Sequence, residues 1–166
     1  MSHDLFSSAN QRIDFGGEGD RPPVPPIFLR HVGTWQGEYI KTDTRGQFLS
    51  SFVGTFTVNI EGITYRQTNR YTYADGRRLQ LDFEGIFEQG ILKMSSSSYS
   101  DFAAIAWDAG QETIGFRVVK TQDDACIEFM ETMMLRSADH RVRSTQAYRN
   151  GVFDGISFIE ETRISL

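Results

Sequence analysis

Apolar and polar residues alternate with a period of two along most of the chain beyond residue 30. Phe56, Val58 and Ile60, for example, share one face of a segment whose other face carries threonine and asparagine. Because successive side chains of a β-strand point to opposite faces, this pattern predicts strands that are buried on one side only. A helical spacing of apolar residues is missing, apart from a short segment before Trp35.

Turn-forming residues divide this alternating sequence into about ten segments of strand length. Glu61-Gly62 and Asn150-Gly151 are typical of tight hairpin turns, in which glycine adopts a positive φ without steric cost. The predicted strands are Trp35–Lys41, Phe48–Ile60, Thr64–Tyr73, Arg78–Phe87, Ile91–Ser98, Phe102–Trp107, Thr113–Lys120, Cys126–Arg136, Val142–Arg149 and Ile156–Ser165.

The short connections between these segments favour antiparallel pairing of each strand with the next one along the chain. A meander of this kind that closes on itself has no exposed edge. We therefore predict an all-β fold, an up-and-down antiparallel β-barrel of about 8–10 strands. A two-sheet sandwich is the alternative, because alternation alone does not distinguish the two architectures.

Glycine and proline mark the N-terminal region off from the barrel. All four prolines lie in the segment Pro22–Pro26, after a glycine-rich segment, and this composition predicts a flexible arm over residues 1–26. The barrel domain is predicted over residues 27–166, which contain no proline. The segment Ile27–His31 is interpreted either as a short helical turn that plugs one barrel end or as the lead-in to the first strand.

Composition and charge restrict the location and the partners. The net charge of −5 provides no basic surface for nucleic acid or anionic lipid, so neither is expected as a partner. No apolar run reaches the roughly 18 residues that span a bilayer, and the first residues do not resemble a secretory signal. The single cysteine cannot form an internal disulfide, and a cytoplasmic location is expected. A homodimer is compatible with a barrel that closes loosely.

The predicted strand Thr64–Tyr73 departs from the general pattern because neither of its faces is apolar. If its aromatic and amide face points inward, it would line the lumen with rings and hydrogen-bonding groups. If the face with Arg66 and Arg70 points inward, it would bind a carboxylate or a phosphate. A third interpretation has the rings packed, with the tyrosine hydroxyls and the arginines reaching water. The aromatic and amide face consists of Tyr65, Gln67, Asn69, Tyr71 and Tyr73.

Glu131 lies in mid-strand on an otherwise apolar face, between Phe129 and Met133. A carboxyl group that points into a barrel needs a partner or a raised pKa. An arginine partner would make Glu131 structural, whereas a lone carboxyl would be a candidate general acid or base. Because Glu160 and Glu161 are neighbours in the last strand, one of these two is also expected to point inward.

Motifs that would specify a metal, a nucleophile or a cofactor are missing from the sequence. No His-Glu-x-x-His or Cys-x-x-Cys motif occurs for zinc, and no Gly-x-Ser-x-Gly motif or phosphate-binding glycine loop occurs. His140 falls in a predicted turn, and His31 flanks the barrel end, where a packing role is expected. We therefore predict neither a metal site nor a cofactor.

The segment Gly33–Gly37, with a tryptophan at its centre, resembles the first-strand motif of lipocalin-like, or calycin, barrels. Three further segments extend the similarity: Tyr65–Tyr71, Arg143–Tyr148 and Ile159–Arg163. Together they resemble a family of bacterial, largely cyanobacterial, lipocalin-like domains of unknown function. The similarity extends over residues 27–166.

The resemblance implies a barrel with a central cavity. It also implies that Trp35 closes one end and packs against a basic residue, with Arg163 as the first candidate and Arg149 as the second. Neighbouring architectures are the phycobiliprotein lyases, the nitrobindin-like ferric-heme barrels and small barrel cyclases of natural-product pathways. The heme architecture requires a histidine on a late strand, and the predicted late strands contain none.

The leading functional hypothesis is that the barrel binds a small aromatic or amphipathic molecule. The alternative is a cofactor-free isomerase, cyclase or lyase, with Glu131 as the acid–base group and Arg66 or Tyr65 stabilising developing charge. A third hypothesis, from the resemblance, is a pigment (bilin) lyase or a chaperone-like carrier. The predicted ligand contacts are Trp35, Gln67, Asn69, Tyr71, Phe83, Phe116, Phe129 and Met133.

Overall fold

The computed structural model describes residues 22–166, which form one helical turn and ten strands. In chain order they are α1 (Pro26–Leu29), β1 (Gly33–Thr42), β2 (Phe48–Glu61), β3 (Thr64–Tyr73), β4 (Arg78–Glu88), β5 (Ile91–Ser96), β6 (Ala103–Gly110), β7 (Thr113–Gln122), β8 (Ala125–Leu135), β9 (His140–Arg149) and β10 (Val152–Ser165). The strands form one closed barrel in which each pairs with its neighbours in the chain, and β1 pairs with β10. The predicted all-β, up-and-down antiparallel barrel is therefore confirmed, and the sandwich alternative is wrong. Residues 1–21 of the predicted arm lie outside the described residues.

The strand ends differ from the predicted segments by up to four residues, and the largest difference is at the start of β10. β10 begins at Val152 rather than Ile156, because Gly155 has a φ of +124° and forms part of a bulge that interrupts the alternating pattern. β5 ends at Ser96, two residues earlier than predicted. β9 begins at His140, so this exposed histidine belongs to a strand and not to a turn.

α1 plugs one end of the barrel. Pro26 is its first residue, where the fixed φ of proline suits a helix and its missing N–H is no loss. Val24, Ile27 and Phe28 are buried in the core, and the Phe28 ring meets Phe87 edge-on with the ring centroids 4.9 Å apart. Of the two alternatives for this segment, the helical turn is the correct one. Among residues 22–166, no helix has the length and apolar character that crossing a membrane requires.

Two glycines make room for Trp35 at this closed end. Gly33 has a φ of +115°, and a Cβ there would lie 2.6 Å from the carbonyl oxygen of Ser165. A Cβ on Gly37 would lie 2.1 Å from the carbonyl oxygen of Glu160. The absence of both side chains lets β10 approach β1 closely on either side of Trp35, which is completely buried. The glycine–tryptophan motif is thus a packing motif of the closed end.

Candidate functional site

A cavity of about 390 Å³ lies in the part of the barrel that α1 does not fill. One wall is a continuous group of aromatic rings from β1, β2 and β3. Tyr39 stacks on Phe52 with the ring centroids 5.0 Å apart, and Phe52 contacts Tyr71 and Tyr73 at 5.5 and 5.2 Å. A concave site of this volume with an aromatic wall suits one small molecule with an extended apolar surface.

The connection between β5 and β6 forms part of the cavity mouth. Tyr99 and Phe102 from this connection line the cavity, and Phe102 packs against Phe83 with the ring centroids 5.1 Å apart. Lys120 Nζ on β7 lies 4.3 Å from the centre of the Tyr99 ring and donates to its hydroxyl at 3.2 Å. The region just beyond β5 is therefore a structured rim that brings an aromatic ring and a cation to the cavity.

The aromatic and amide face of β3 points into the barrel. The Tyr65 hydroxyl donates to Gln67 Oε1, and Gln67 Nε2 donates to Asn69 Oδ1 at 2.6 Å. Asn69 Nδ2 in turn donates to the hydroxyl oxygen of Tyr71 at 2.9 Å. Because that oxygen accepts a hydrogen bond from Asn69, the hydroxyl proton of Tyr71 can be donated to a group in the cavity. Of the three interpretations of this strand, the one in which the aromatic and amide face points inward is therefore correct.

Burial keeps the inward-facing tyrosines protonated. Desolvation raises the pKa of Tyr71 well above its usual value, although Arg143 and the hydrogen bond from Asn69 act in the opposite direction. Desolvation likewise raises the pKa values of Tyr39 and Tyr65. These phenols therefore act as neutral hydrogen-bonding groups at physiological pH and not as phenolates.

Arg66 lies on the outer face of β3, which corrects its expected role. Its side chain is 57% exposed, and its guanidinium lies 3.8 Å from the carboxylate of Glu61. The alternation that turns Tyr65 and Gln67 inward necessarily turns Arg66 outward. Arg66 therefore has no access to a charge that develops inside the barrel.

Eight of the residues predicted from the sequence line the cavity: Gln67, Asn69, Tyr71, Phe83, Phe116, Phe129, Glu131 and Met133. Trp35 and Tyr65 do not belong to this lining and lie in the buried cluster at the closed end. The expected ligand contact of Trp35 and the expected charge stabilisation by Tyr65 are corrected accordingly. The physical reason is that α1 and its neighbours fill this end of the barrel.

Glu131 has two partners on β9. Thr145 Oγ1 donates to Glu131 Oε2 at 2.7 Å, and Arg143 Nη1 lies 3.5 Å from Glu131 Oε1. The Glu131 side chain is 15% exposed and lines the cavity. Of the two alternatives for this residue, the pairing with an arginine is the one present. Both carboxylate oxygens therefore have partners, which hold the Glu131 side chain in place.

Glu161 of β10 lies at the centre of a buried group of charges, the buried charge cluster, which consists of Arg141, Arg143, Glu131 and Glu161. Arg141 donates to both oxygens of Glu161, through Nε at 2.7 Å and Nη2 at 3.1 Å. Arg143 Nη2 donates to Glu161 Oε1 at 3.3 Å. The side chains of Arg141 and Glu161 are completely buried. The inward carboxylate expected from the last strand is therefore that of Glu161.

Two guanidinium groups lie over the ring of Trp35. The Cζ atom of Arg163 is 4.2 Å from the ring centroid, and that of Arg141 is 4.3 Å from it. Trp35 Nε1 donates to the carbonyl oxygen of His31 at 3.0 Å. The expected partner Arg163 is confirmed. The second candidate, Arg149, is wrong, because it is an exposed residue at the far end of β9.

His31 is buried against the same cluster. Its Nδ1 lies 3.1 Å from Arg141 Nη1 and accepts the arginine's hydrogen bond. Burial first, and then the positive charge of Arg141, lowers the pKa of His31 from 6.5 to about 2. His31 is consequently neutral in the folded barrel, and the packing role expected for it agrees with its position.

We expect the free energy of unfolding to fall by about 2 kcal/mol between pH about 7 and pH about 5 because of the protonation of His31. Below its ordinary pKa of 6.5 the histidine of the unfolded chain takes up a proton, which the folded barrel excludes down to a pH of about 2. The free energy of unfolding must therefore fall as the pH falls. Urea unfolding of His31→Asn, whose amide oxygen still accepts from Arg141, should show a flatter pH dependence. His140→Asn is the matched control and should behave as the wild type; an unchanged dependence in His31→Asn would contradict the assignment.

Sequence reasoning does not find Tyr39, Phe52, Lys120, Arg141 or Arg143. For the two arginines the sequence does contain a signal. Two carboxylates predicted to point into a closed barrel require cationic partners that also point inward. Arg141 and Arg143 share one face of β9 with Thr145, as their spacing of two residues indicates. For Lys120 the sequence offers no signal, since lysine at a strand end is usually solvated.

The site offers hydrogen-bonding and ionic groups. Among residues 22–166, no three histidine, cysteine, aspartate or glutamate side chains are grouped to hold a metal ion. Tyr71 and Arg143 are hydrogen-bond donors of the cavity lining, and Glu131 is an acceptor. Cys126 is exposed and is not part of the cavity lining.

Comparison with known proteins identifies a family. The profile of the family described as "Domain of unknown function (DUF3598), N-terminal" matches residues 26–165. No protein with a curated description matches the chain. The structure of a DUF3598 family protein of unknown function from Nostoc punctiforme has a TM-score of 0.61 at 16% identity, over 87% of this chain and 51% of that chain. This chain therefore spans about half the length of the Nostoc protein.

Two further solved structures have the same barrel. An S-type phycobiliprotein lyase from Guillardia theta has a TM-score of 0.60 at 14% identity, over 83% of this chain and 90% of that chain. The protein Rv2717c from M. tuberculosis has a TM-score of 0.55 at 11% identity, over 84% of this chain and 99% of that chain. At these identities the similarity establishes a shared fold.

Proposed function

The chain belongs to the DUF3598 family, and we propose that its barrel binds one small aromatic or amphipathic molecule in the cavity. The observation that carries the proposal is the cavity of about 390 Å³, whose stacked aromatic wall stands beside polar and charged side chains. Binding sites for small molecules are typically concave, mostly apolar and equipped with a small number of placed polar groups. Because α1 and Trp35 fill the closed end, the ligand enters at the other end.

The polar groups of the wall would orient the ligand in the cavity. Tyr71 presents a hydroxyl whose oxygen already accepts from Asn69, so it would donate to a ligand acceptor. Glu131 is held by Thr145 and Arg143, so it would accept from a ligand donor without moving. This arrangement supports binding over the cofactor-free isomerase, cyclase or lyase chemistry, which needs a carboxyl free to exchange a proton.

A second candidate function is that of a pigment (bilin) lyase or carrier. It is favoured by the barrel that this chain shares with the S-type phycobiliprotein lyase. The conjugated rings of a linear tetrapyrrole would pack against the aromatic wall of Tyr39, Phe52 and Tyr71. Adding biliverdin to the purified protein distinguishes this candidate: a bound pigment would change its visible absorption spectrum, and an unchanged spectrum would contradict it.

Filling the cavity tests the proposed function. Ala104 of β6 is buried and lines the cavity. We expect Ala104→Trp to weaken binding of the uncharged fluorescent probe N-phenylnaphthylamine at least about tenfold, because the indole occupies the ligand's volume. Ala103→Trp is the matched control, since Ala103 is the preceding residue and is exposed on the outer face. Fluorescence titration gives the affinities, and thermal unfolding shows that both variants are folded.

Two results would contradict the proposal. One is a wild-type protein that binds no probe, and the other is equal probe affinity in wild type, Ala104→Trp and Ala103→Trp. Native mass spectrometry of protein purified from its source complements the titration, because it detects a natural ligand that stays bound.

A further inference from the structure

We propose that the ligand carries an anionic group that binds Lys120, while Arg143 lies deeper in the same cavity as a second cation; this inference rests on the proposed function of the cavity. The charge of the cavity is opposite to that of the protein. The whole chain has a net charge of −5. The cavity lining, in contrast, contains the cations Lys41, Lys120 and Arg143 and one carboxylate, Glu131, an excess of two positive charges.

Lys120 contributes a cation without a carboxylate partner. Its Nζ lies over the ring of Tyr99 at 4.3 Å and 5.7 Å from the centre of the Phe129 ring. None of the ion pairs formed among residues 22–166 includes Lys120. An ammonium group next to two aromatic rings is partly removed from water, so an anion beside it is attracted more strongly than in bulk solvent.

Arg143 has donor capacity that its two carboxylates do not use. Its side chain is 6% exposed, and its guanidinium lies 4.5 Å from the centre of the Phe56 ring. Its contacts with Glu131 at 3.5 Å and Glu161 at 3.3 Å are long for charge-assisted hydrogen bonds. Its Nε is buried and has no hydrogen-bond partner among residues 22–166. Because Arg143 also lines the cavity, its positive charge would attract a second, electron-rich group of the ligand.

The ligand class that follows is an aromatic or amphipathic anion, with a carboxylate, sulfate or phosphate group. An uncharged aromatic molecule would cover Lys120 and remove its ammonium group further from water without compensation. An anionic group would offset that cost by pairing with the ammonium group, and Tyr71 would donate to a further acceptor on the ligand. The overall charge of the protein does not oppose entry, since fields at the mouth are screened over about 8–10 Å at physiological salt.

Two fluorescent probes with the same aromatic framework separate the inference from the proposed function. Anilinonaphthalenesulfonate carries a sulfonate, and N-phenylnaphthylamine is uncharged. We expect Lys120→Met to weaken binding of the sulfonate about tenfold and to leave the affinity for the uncharged probe within about twofold of wild type. Raising NaCl from about 50 to about 500 mM should weaken sulfonate binding more in wild type than in Lys120→Met.

Matched variants complete the experiment. Lys93→Met removes a lysine that pairs with Glu88 on the outer face of β5, and it should keep wild-type affinity for both probes. Ala104→Trp should weaken both probes, which locates the sulfonate inside the cavity. If Lys120→Met weakens both probes equally, or neither, the anionic subsite is refuted while ligand binding stands. If the wild-type protein binds neither probe, the proposed function and the inference both fail.

Discussion

Replacing Glu161 by glutamine is expected to lower the free energy of unfolding by about 3–5 kcal/mol. Glu161 is completely buried and accepts hydrogen bonds from both Arg141 and Arg143. The amide of glutamine is similar in size, but it leaves two buried guanidinium groups with a single remaining carboxylate, that of Glu131. The cost arises because an unpaired charge inside the barrel has lost its hydration without a compensating partner.

The neighbouring residue gives the matched control for this substitution. Glu160 is exposed and lies 3.8 Å from Arg136 on the outer surface, so Glu160→Gln should change stability by less than about 1 kcal/mol. Urea unfolding at neutral pH gives both values, and circular dichroism shows whether the barrel is retained. Equal losses in the two variants would show that the buried charge cluster does not depend on Glu161.

Trp35→Ala is expected to destabilise the barrel by about 3–5 kcal/mol, the range for removing a large buried aromatic side chain. Trp35 is completely buried, and its indole N–H donates to the carbonyl of His31. The guanidinium groups of Arg141 and Arg163 both lie over its ring. Its removal therefore creates a cavity and also exposes one face of a buried cation to empty space.

The second tryptophan of the chain serves as the control. Trp107 is half-buried on the outer face of β6, and its ring covers Gly115 of the adjacent strand. Trp107→Ala should lower the free energy of unfolding clearly less than Trp35→Ala does. The reason is that the Trp107 ring lies on the half-exposed outer surface, whereas the Trp35 ring fills the closed end. Trp35→Phe should recover part of the loss by refilling the space. Urea unfolding that ranks Trp107→Ala as the more damaging change would contradict this account of the closed end.

The orientation of β3 shows why part of the site is not predictable from the sequence. Neither of its faces is apolar, so alternation within the strand has no preferred direction. The direction is decided by its neighbours, since Gln67 pairs with Val58 of β2 on one side and with Phe83 of β4 on the other. Val58 and Phe83 are buried, and directly paired residues face the same side of a sheet. Gln67 and its aromatic neighbours are thereby turned inward.

For β8, in contrast, the sequence predicts the inward face but not the partners of its side chains. Phe129 and Met133 face inward as their alternation predicts, and Glu131 follows between them. Its partner is not readable from the sequence, because Arg143 and Thr145 lie on the next strand and are brought close only by the pairing of Glu131 with Thr145. The same holds for Arg141 and Glu161, which are 20 residues apart in the chain.

By itself the sequence determined the strands, their antiparallel order and the inward faces of the amphipathic segments. These properties depend on alternation and turn residues, which act over a few neighbouring positions. Only the tertiary structure decided which end α1 fills, which way β3 faces, how the carboxylates pair with arginines, and where Lys120 meets the cavity. These outcomes depend on the register between strands and on the closure of the barrel, which bring together residues far apart in the chain.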